Sequence, residues 1–196
     1  MAGQEADLGT DHTPPAQGLS PDEIKALIRT IPDFPAAGIQ FRDITTLIAH
    51  GEGFAATIDH LAERAEKTRP AAVAGIEARG FIFGAALAAR LGLGFVPLRK
   101  AGKLPVETLG IDYALEYGAS RLELDPGAIE PEERVLLVDD LIATGGSALA
   151  ATELLRRAGA EVGHALFVVH LPDLGGAEAL RASAIAVDAL VAFSGH

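Results

Sequence analysis

Val135-Leu136-Leu137-Val138-Asp139-Asp140-Leu141-Ile142-Ala143-Thr144-Gly145-Gly146-Ser147 decides how this chain is read. Four branched apolar residues run into two adjacent carboxylates, a small Gly-rich turn follows, and a helical pattern begins at Ser147. Such an apolar run suits a parallel strand buried on both faces, and open α/β sheets bind ligands at the carboxyl ends of these strands. The loop from Thr144 to Ser147 has what a phosphate cradle needs. Its glycines let backbone N–H groups turn toward one point, two hydroxyls add donors, and a helix N-terminus supplies partial positive charge. Asp139 and Asp140 repel a phosphate but suit its neighbour, a sugar diol or a metal-bound hydroxyl. A phosphate site and a diol site side by side describe a ribose 5-phosphate.

Two other phosphate-binding motifs fail on specific residues. A P-loop needs Lys followed by Ser or Thr after its second glycine, and no lysine lies between 104 and 196. A dinucleotide fingerprint needs its glycines directly after a first strand, and Gly51-Glu52-Gly53 follows no strand-like run. An acidic pair that merely ends a strand, before glycines that merely turn the chain, would not account for strand, acids, hydroxyl-glycine loop and helix in this order.

The 196 residues suit one domain with a core of its own. The absence of cysteine excludes disulfides and thiolate chemistry and fits a reducing compartment, so a cytoplasmic location is expected. The first residues hold no apolar run of the kind a signal peptide carries. The most apolar window, Phe81 to Leu98, contains Arg90, three glycines and a proline, and reads as helix, turn and strand, not a membrane span. A net charge of −11 with 5% aromatic residues argues against nucleic acid as a partner. The acidic balance looks wrong for a phosphorylated substrate until the cations are located. Of four lysines, Lys100 and Lys103 stand together beside Arg99, a local cationic cluster on an acidic body.

Residues 1–18 are small, polar and aperiodic, and disorder is expected there. Ser20-Pro21-Asp22-Glu23 predicts a capping box with proline at the first helical position. Ile24, Leu27, Ile28 and Ile31 continue it as one apolar stripe that Pro32 stops. A second helix is predicted from Phe54 through Ala65, then a strand over Ala71–Ile76, a helix over Phe81–Leu91 and a strand over Phe95–Leu98. Residues 101–124 break the alternation and read as a lid or hairpin, with strands between Tyr113 and Glu123. After the Val135–Val138 strand come a helix over Ala148–Ala158 with a Gly159 cap, a strand over Val162–Val169 and a last one over Ala184–Ala192. Alternating strands and helices imply an open, mostly parallel twisted sheet flanked by helices, in one domain spanning 19–196.

The Asp139–Ser147 segment resembles the phosphoribosyl pyrophosphate signature of the type I phosphoribosyltransferases. Three further stretches are similar to the adenine-using branch of that family. They are Pro32-Asp33-Phe34-Pro35 running to Phe41-Arg42-Asp43-Ile44-Thr45, Gly75-Ile76-Glu77-Ala78-Arg79-Gly80-Phe81, and Arg99-Lys100-Ala101-Gly102-Lys103-Leu104-Pro105 continuing to Leu115-Glu116-Tyr117-Gly118. With the signature they run in family order from residue 20 to about 174.

The resemblance implies a purine-salvage reaction in which adenine and phosphoribosyl pyrophosphate give AMP and pyrophosphate. It implies that Ala143, Thr144, Gly145, Gly146 and Ser147 hold the 5-phosphate and that Asp139 and Asp140 hold the ribose hydroxyls. Mg2+ is expected, held mainly through the substrate with Asp139 and Asp140 as candidate protein ligands. Arg79 falls to pyrophosphate. Arg99, Lys100 and Lys103 are candidates for the same group, and Lys100 matches the family's lysine best. Glu116 is assigned the proton step at purine N7. Phe41 and Leu171 would take the faces of the base, with backbone groups of Gln40 and Arg42 at its amino edge. A homodimer is implied, to which Phe81–Phe83 could contribute.

Two positions depart from the family pattern. His170-Leu171 stands where a Glu-Leu pair is usual, and Gly176-Ala177 where a Gly-Arg element is usual. The other histidines (His12, His50, His60, His164, His196) lack metal-ligand spacing. Two rival readings are a non-catalytic regulator that senses phosphoribosyl pyrophosphate, and a transferase for another purine base. The first needs a nucleic-acid surface that an acidic stretch of about 18 residues does not supply. The Phe41 and Leu-Glu-Tyr-Gly matches oppose the second.

Overall fold

The computed structural model describes residues 18–114 and 119–195. Apart from Gly18, the stretch expected to be disordered falls outside these residues, and so do Glu116 and Tyr117.

The chain opens with α1 (Pro21–Leu27), capped by Ser20 as its sequence predicts: the Ser20 hydroxyl accepts from the Glu23 N–H, and the Glu23 carboxylate accepts from the Ser20 N–H. The helix ends at Leu27, well before Pro32. Ile28 is already extended, and β1 (Arg29–Pro32) pairs antiparallel with β2 (Gln40–Asp43). The apolar spacing of Ile31 fits a helix, but strand pairing with residues ten positions later overrides it.

After the short α2 (Thr45–Ile48) and the long α3 (Gly51–Glu66), the α/β alternation begins. It runs β3 (Ala72–Ile76), α4 (Arg79–Leu91), β4 (Gly94–Lys100), then the hairpin β5 (Leu109–Ala114) and β6 (Ala119–Leu124). It resumes with β7 (Val135–Ile142), α5 (Gly146–Arg157), β8 (His164–His170), α6 (Gly176–Ala182) and β9 (Ala186–Ala192).

Seven strands form the main sheet in the order β5-β6-β4-β3-β7-β8-β9. β4, β3, β7, β8 and β9 are parallel, and β6 joins β4 antiparallel through Arg99↔Glu123 and Lys100↔Leu122. The β1–β2 hairpin forms a separate two-stranded sheet. The hairpin expected between Tyr113 and Glu123 corresponds to β5 and β6, which begin earlier, at Leu109.

Both faces of the sheet are covered, so its central strands are apolar throughout. All five residues of β3 are buried. One core layer gathers Ala74, Leu137 and Phe167 under Leu154 and Leu155 of α5. The other gathers Val73, Leu136 and Val138 under Leu61 of α3 and Phe83 and Leu87 of α4. Chain order reverses between β3 and β7: β4 lies to one side of β3, while β7, β8 and β9 run off to the other. Loops leaving two neighbouring strands at such a point diverge and open a crevice at their carboxyl ends.

Candidate active site

That crevice collects Arg79, the acidic pair and the hydroxyl-glycine loop singled out in the sequence. β7 runs on to Ile142, beyond the Val138 at which its apolar run ends, so Asp139 and Asp140 sit inside a strand. Asp139 pairs with Phe167 of β8 in the ladder. The backbone of the acidic pair is therefore fixed by the sheet, and only the side chains answer to a ligand. The loop then turns through Ala143–Gly145 into α5, whose first turn carries no acidic residue. The positive end of that helix is left open to an anion. Arg79, Asp139, Asp140 and the loop from Leu141 to Ala148 line one cleft of ≈ 200 Å³.

The turn is shaped by two backbones in contact. Gly145 has φ +84, and a Cβ there would stand 3.0 Å from the Gly176 backbone. A Cβ on Gly176 would come within 2.3 Å of the Ala143 carbonyl oxygen and 2.6 Å of the Gly145 nitrogen. The Gly176 N–H donates to that carbonyl at 2.9 Å. The start of α6 is thus the floor on which the Ala143–Gly145 turn rests. In the sequence Gly176 stands out only as part of a departure from the family pattern, and its distance along the chain hides this contact.

Arg79 opens α4, and its Nε lies 2.6 Å from Asp140 Oδ2 in an ion pair. The arginine side chain is half exposed and the carboxylate 7% exposed. Gly80 allows the approach, because a Cβ there would lie 2.6 Å from Asp139 Oδ1. Burial pushes the Asp139 carboxyl well up, and the neighbouring Asp140 charge adds to it. Burial raises Asp140 too, against the pull of Arg79. Burial thus disfavours charge on both carboxyls, and groups perturbed in this way cluster at functional sites.

At the end of β3, Glu77 organises the cationic cluster. Its carboxylate accepts from Arg99 Nε at 3.2 Å and from the Lys100 N–H at 2.8 Å. These bonds, led by the Arg99 guanidinium, hold the Glu77 carboxyl below its usual range. Arg99 is therefore committed to Glu77, while Lys100 and Lys103 are exposed and form no ion pair among the described residues. Glu77 stands in a family-like motif, but nothing local marks it as the anchor of a strand two elements on.

The residues read as a base site come from two regions. Gln40, Phe41 and Arg42 lie on β2, with Phe41 half-buried and edge-on to Phe34 at 5.2 Å between centroids. Arg42 turns its guanidinium to the Thr30 hydroxyl at 2.6 Å and to the Ser194 carbonyl at 3.2 Å. Leu171 follows β8, is 7% exposed, and its N–H donates to the Ile142 carbonyl at 3.0 Å. Arg29 and Thr45 bind Asp43, the last residue of β2, which secures that strand's end. Glu116 lies outside the described residues.

An open sheet whose switch point offers a phosphate loop, an acidic pair and a guanidinium defines a class of proteins built to handle phosphorylated ribose. Residues 45–190 match the family model of the phosphoribosyl transferase domain. The chain is 66% identical over 178 residues to the adenine phosphoribosyltransferase of Erythrobacter litoralis, covering 91% of this chain and 100% of that one. The crystal structure of adenine phosphoribosyltransferase from Thermoanaerobacter pseudethanolicus superposes with a TM-score of 0.84 at 44% identity, over 89% of this chain and 100% of that one. The Saccharomyces cerevisiae adenine phosphoribosyltransferase, complexed with adenine and an imino-altritol bisphosphate, gives 0.81 at 39% identity, over 87% and 98%. The chain belongs to the adenine phosphoribosyltransferase family.

Proposed function

We infer that this chain transfers the phosphoribosyl group of phosphoribosyl pyrophosphate to adenine, giving AMP and pyrophosphate, as a pentosyltransferase of purine salvage. The observation that carries this is the crevice between β3 and β7, where the acidic pair, Arg79 and the phosphate loop line one cleft.

Bond breaking at ribose C1 runs ahead of bond making in this reaction, so positive charge builds on the sugar ring. The protein's tasks are to hold the sugar, accept charge on the leaving pyrophosphate and manage one purine proton. Ala143–Ser147 hold the 5-phosphate against the start of α5. Asp139 and Asp140 take the ribose hydroxyls, and their negative charge favours the cationic ring. Arg79, already at the cleft, neutralises pyrophosphate together with Lys100 and Lys103. Glu116 carries the proton at purine N7. Phe41 and Leu171 enclose the base, and backbone groups of Gln40 and Arg42 read its amino edge.

Among the described residues no cluster of three or more His, Cys, Asp or Glu forms a cage for a metal. Two carboxylates beside a pyrophosphate site fit an ion that takes most of its oxygens from substrate and water, as Mg2+ does. Asp139 and Asp140 would hold it, and when bound it neutralises charge on the leaving group. No helix of the described residues is long and apolar enough to cross a membrane. A cytoplasmic location is part of the proposal. A homodimer is proposed, with Ile82 of α4, 39% exposed between Phe81 and Phe83, at the contact.

The test is pyrophosphate release with Mg2+, phosphoribosyl pyrophosphate and each purine base in turn. Release with adenine alone is expected. Release with another base would overturn the Phe41 pocket, and phosphoribosyl pyrophosphate binding without release would make the chain a sensor.

A further inference from the structure

The segment that follows β9 ties together both walls of the proposed base site. The Phe193 N–H donates to the His170 carbonyl at 3.0 Å, at the end of β8. The Ser194 carbonyl accepts from Arg42 Nη2 at 3.2 Å. The Gly195 N–H donates to Asp173 Oδ2 at 2.7 Å, two residues after Leu171. The Phe193 ring also meets two cations, with Arg42 Cζ 4.6 Å and Lys25 Nζ 4.9 Å from its centroid. Three consecutive residues thus link α1, β2, the end of β8 and the turn beyond Leu171.

These links matter because the β1–β2 hairpin is not hydrogen-bonded into the seven-stranded sheet. A lone two-stranded ribbon is marginal in water and takes its position from what it packs on. Arg42, the neighbour of Phe41, is fixed by Thr30 within the hairpin and by Ser194 and Phe193 outside it. Its Nε is shut off from solvent. The phosphate loop is anchored elsewhere, on Gly176, so the two halves of the site have separate supports.

We propose that residues 193–195 form a strap whose Phe193 is a positioning residue for the purine. It sets the spacing between Phe41 on one wall and Leu171 on the other, and so tunes the affinity for adenine while leaving the phosphoribosyl half alone. This rests on the base-site reading above, and Phe41→Ala serves as its control.

Steady-state kinetics of Phe193→Ala, Phe193→Tyr, Asp173→Ala and Phe41→Ala test the strap. Phe193→Ala raises KM for adenine about tenfold and moves KM for phosphoribosyl pyrophosphate less than about twofold. Phe193→Tyr, which keeps the ring, restores the wild-type value, and Asp173→Ala shifts KM for adenine in the same direction. An unchanged KM for adenine in Phe193→Ala beside a raised one in Phe41→Ala would overturn the strap and leave the base site standing. No change in either variant would remove both. A parallel rise for both substrates, or no rescue by tyrosine, would reduce Phe193 to general packing and overturn the proposal. Should Phe193→Ala fail to fold, Asp173→Ala decides alone, since it removes one exposed acceptor.

Discussion

Arg29 and Asp43 face each other across the β1–β2 ladder, and the guanidinium takes the carboxylate through Nε at 3.2 Å and through Nη2. That bond, helped by the Thr45 hydroxyl and N–H, draws the Asp43 carboxyl down to about 2. An aspartate in an unfolded chain titrates near 3.9. Asp43 therefore contributes stability that is fully present above about pH 4 and lost as pH falls toward 2. Because Arg29 is 60% exposed, the contribution is screened, and Asp43→Asn is expected to cost only about 1 kcal/mol at neutral pH. Melting curves of both proteins should converge between about pH 4 and pH 2. A constant gap across that range would mean that the charge is not what stabilises β2. Asp139 and Asp140 are the same residue type driven the other way, by burial. The sequence makes all three alike. Only the surroundings in space separate them, hydrogen bonds from Arg29 and Thr45 for Asp43 against deep burial beside a like charge for Asp139, which is why the motif around Phe41 gives Asp43 no role by itself.

Elements whose signals are local are legible in the sequence itself. The capping box starts α1, the apolar run marks β7, and the hydroxyl-glycine loop ahead of a helical pattern marks the turn into α5. Signals that depend on a distant partner are not legible in this way. Apolar spacing carries α1 too far, because β1 exists only through its pairing with β2. The floor of the phosphate loop leaves no local trace, because Gly176 reaches Ala143 and Gly145 from beyond β8. That contact makes a prediction at the level of the loop. Gly176→Ala puts a methyl into backbone, a kind of overpacking that costs about 1–3 kcal/mol. Steady-state kinetics should show KM for phosphoribosyl pyrophosphate raised roughly tenfold or more, since 1.4 kcal/mol is a factor of ten, with KM for adenine little changed. Wild-type values for both substrates would mean that the loop's shape does not depend on α6.

Across the whole molecule, an acidic body with a net charge of −11 handles a polyanion by placing a few cations at the carboxyl edge of the sheet. Arg79 leaves β3, and Lys100 and Lys103 stand at and just beyond the end of β4, which Glu77 ties to β3. Alternation of strands and helices makes this parallel architecture legible in the sequence. Strand order does not follow from it, and the switch between β3 and β7 comes from how the strands pair. The same switch brings together Asp139, Asp140 and Arg79, the centre of the site. If these carboxylates are held buried and charged for the ribose, neutralising them relieves the fold while disabling the reaction. Their raised carboxyls cost stability as pH rises above the unfolded value of about 3.9. The decisive measurement is turnover and thermal midpoint, side by side at pH 7, for a protein carrying both Asp139→Asn and Asp140→Asn. Turnover should fall by about 10²–10³ with a midpoint equal to or above wild type. A parallel loss of turnover and midpoint would contradict a ligand-holding role and return the acidic pair to a structural one.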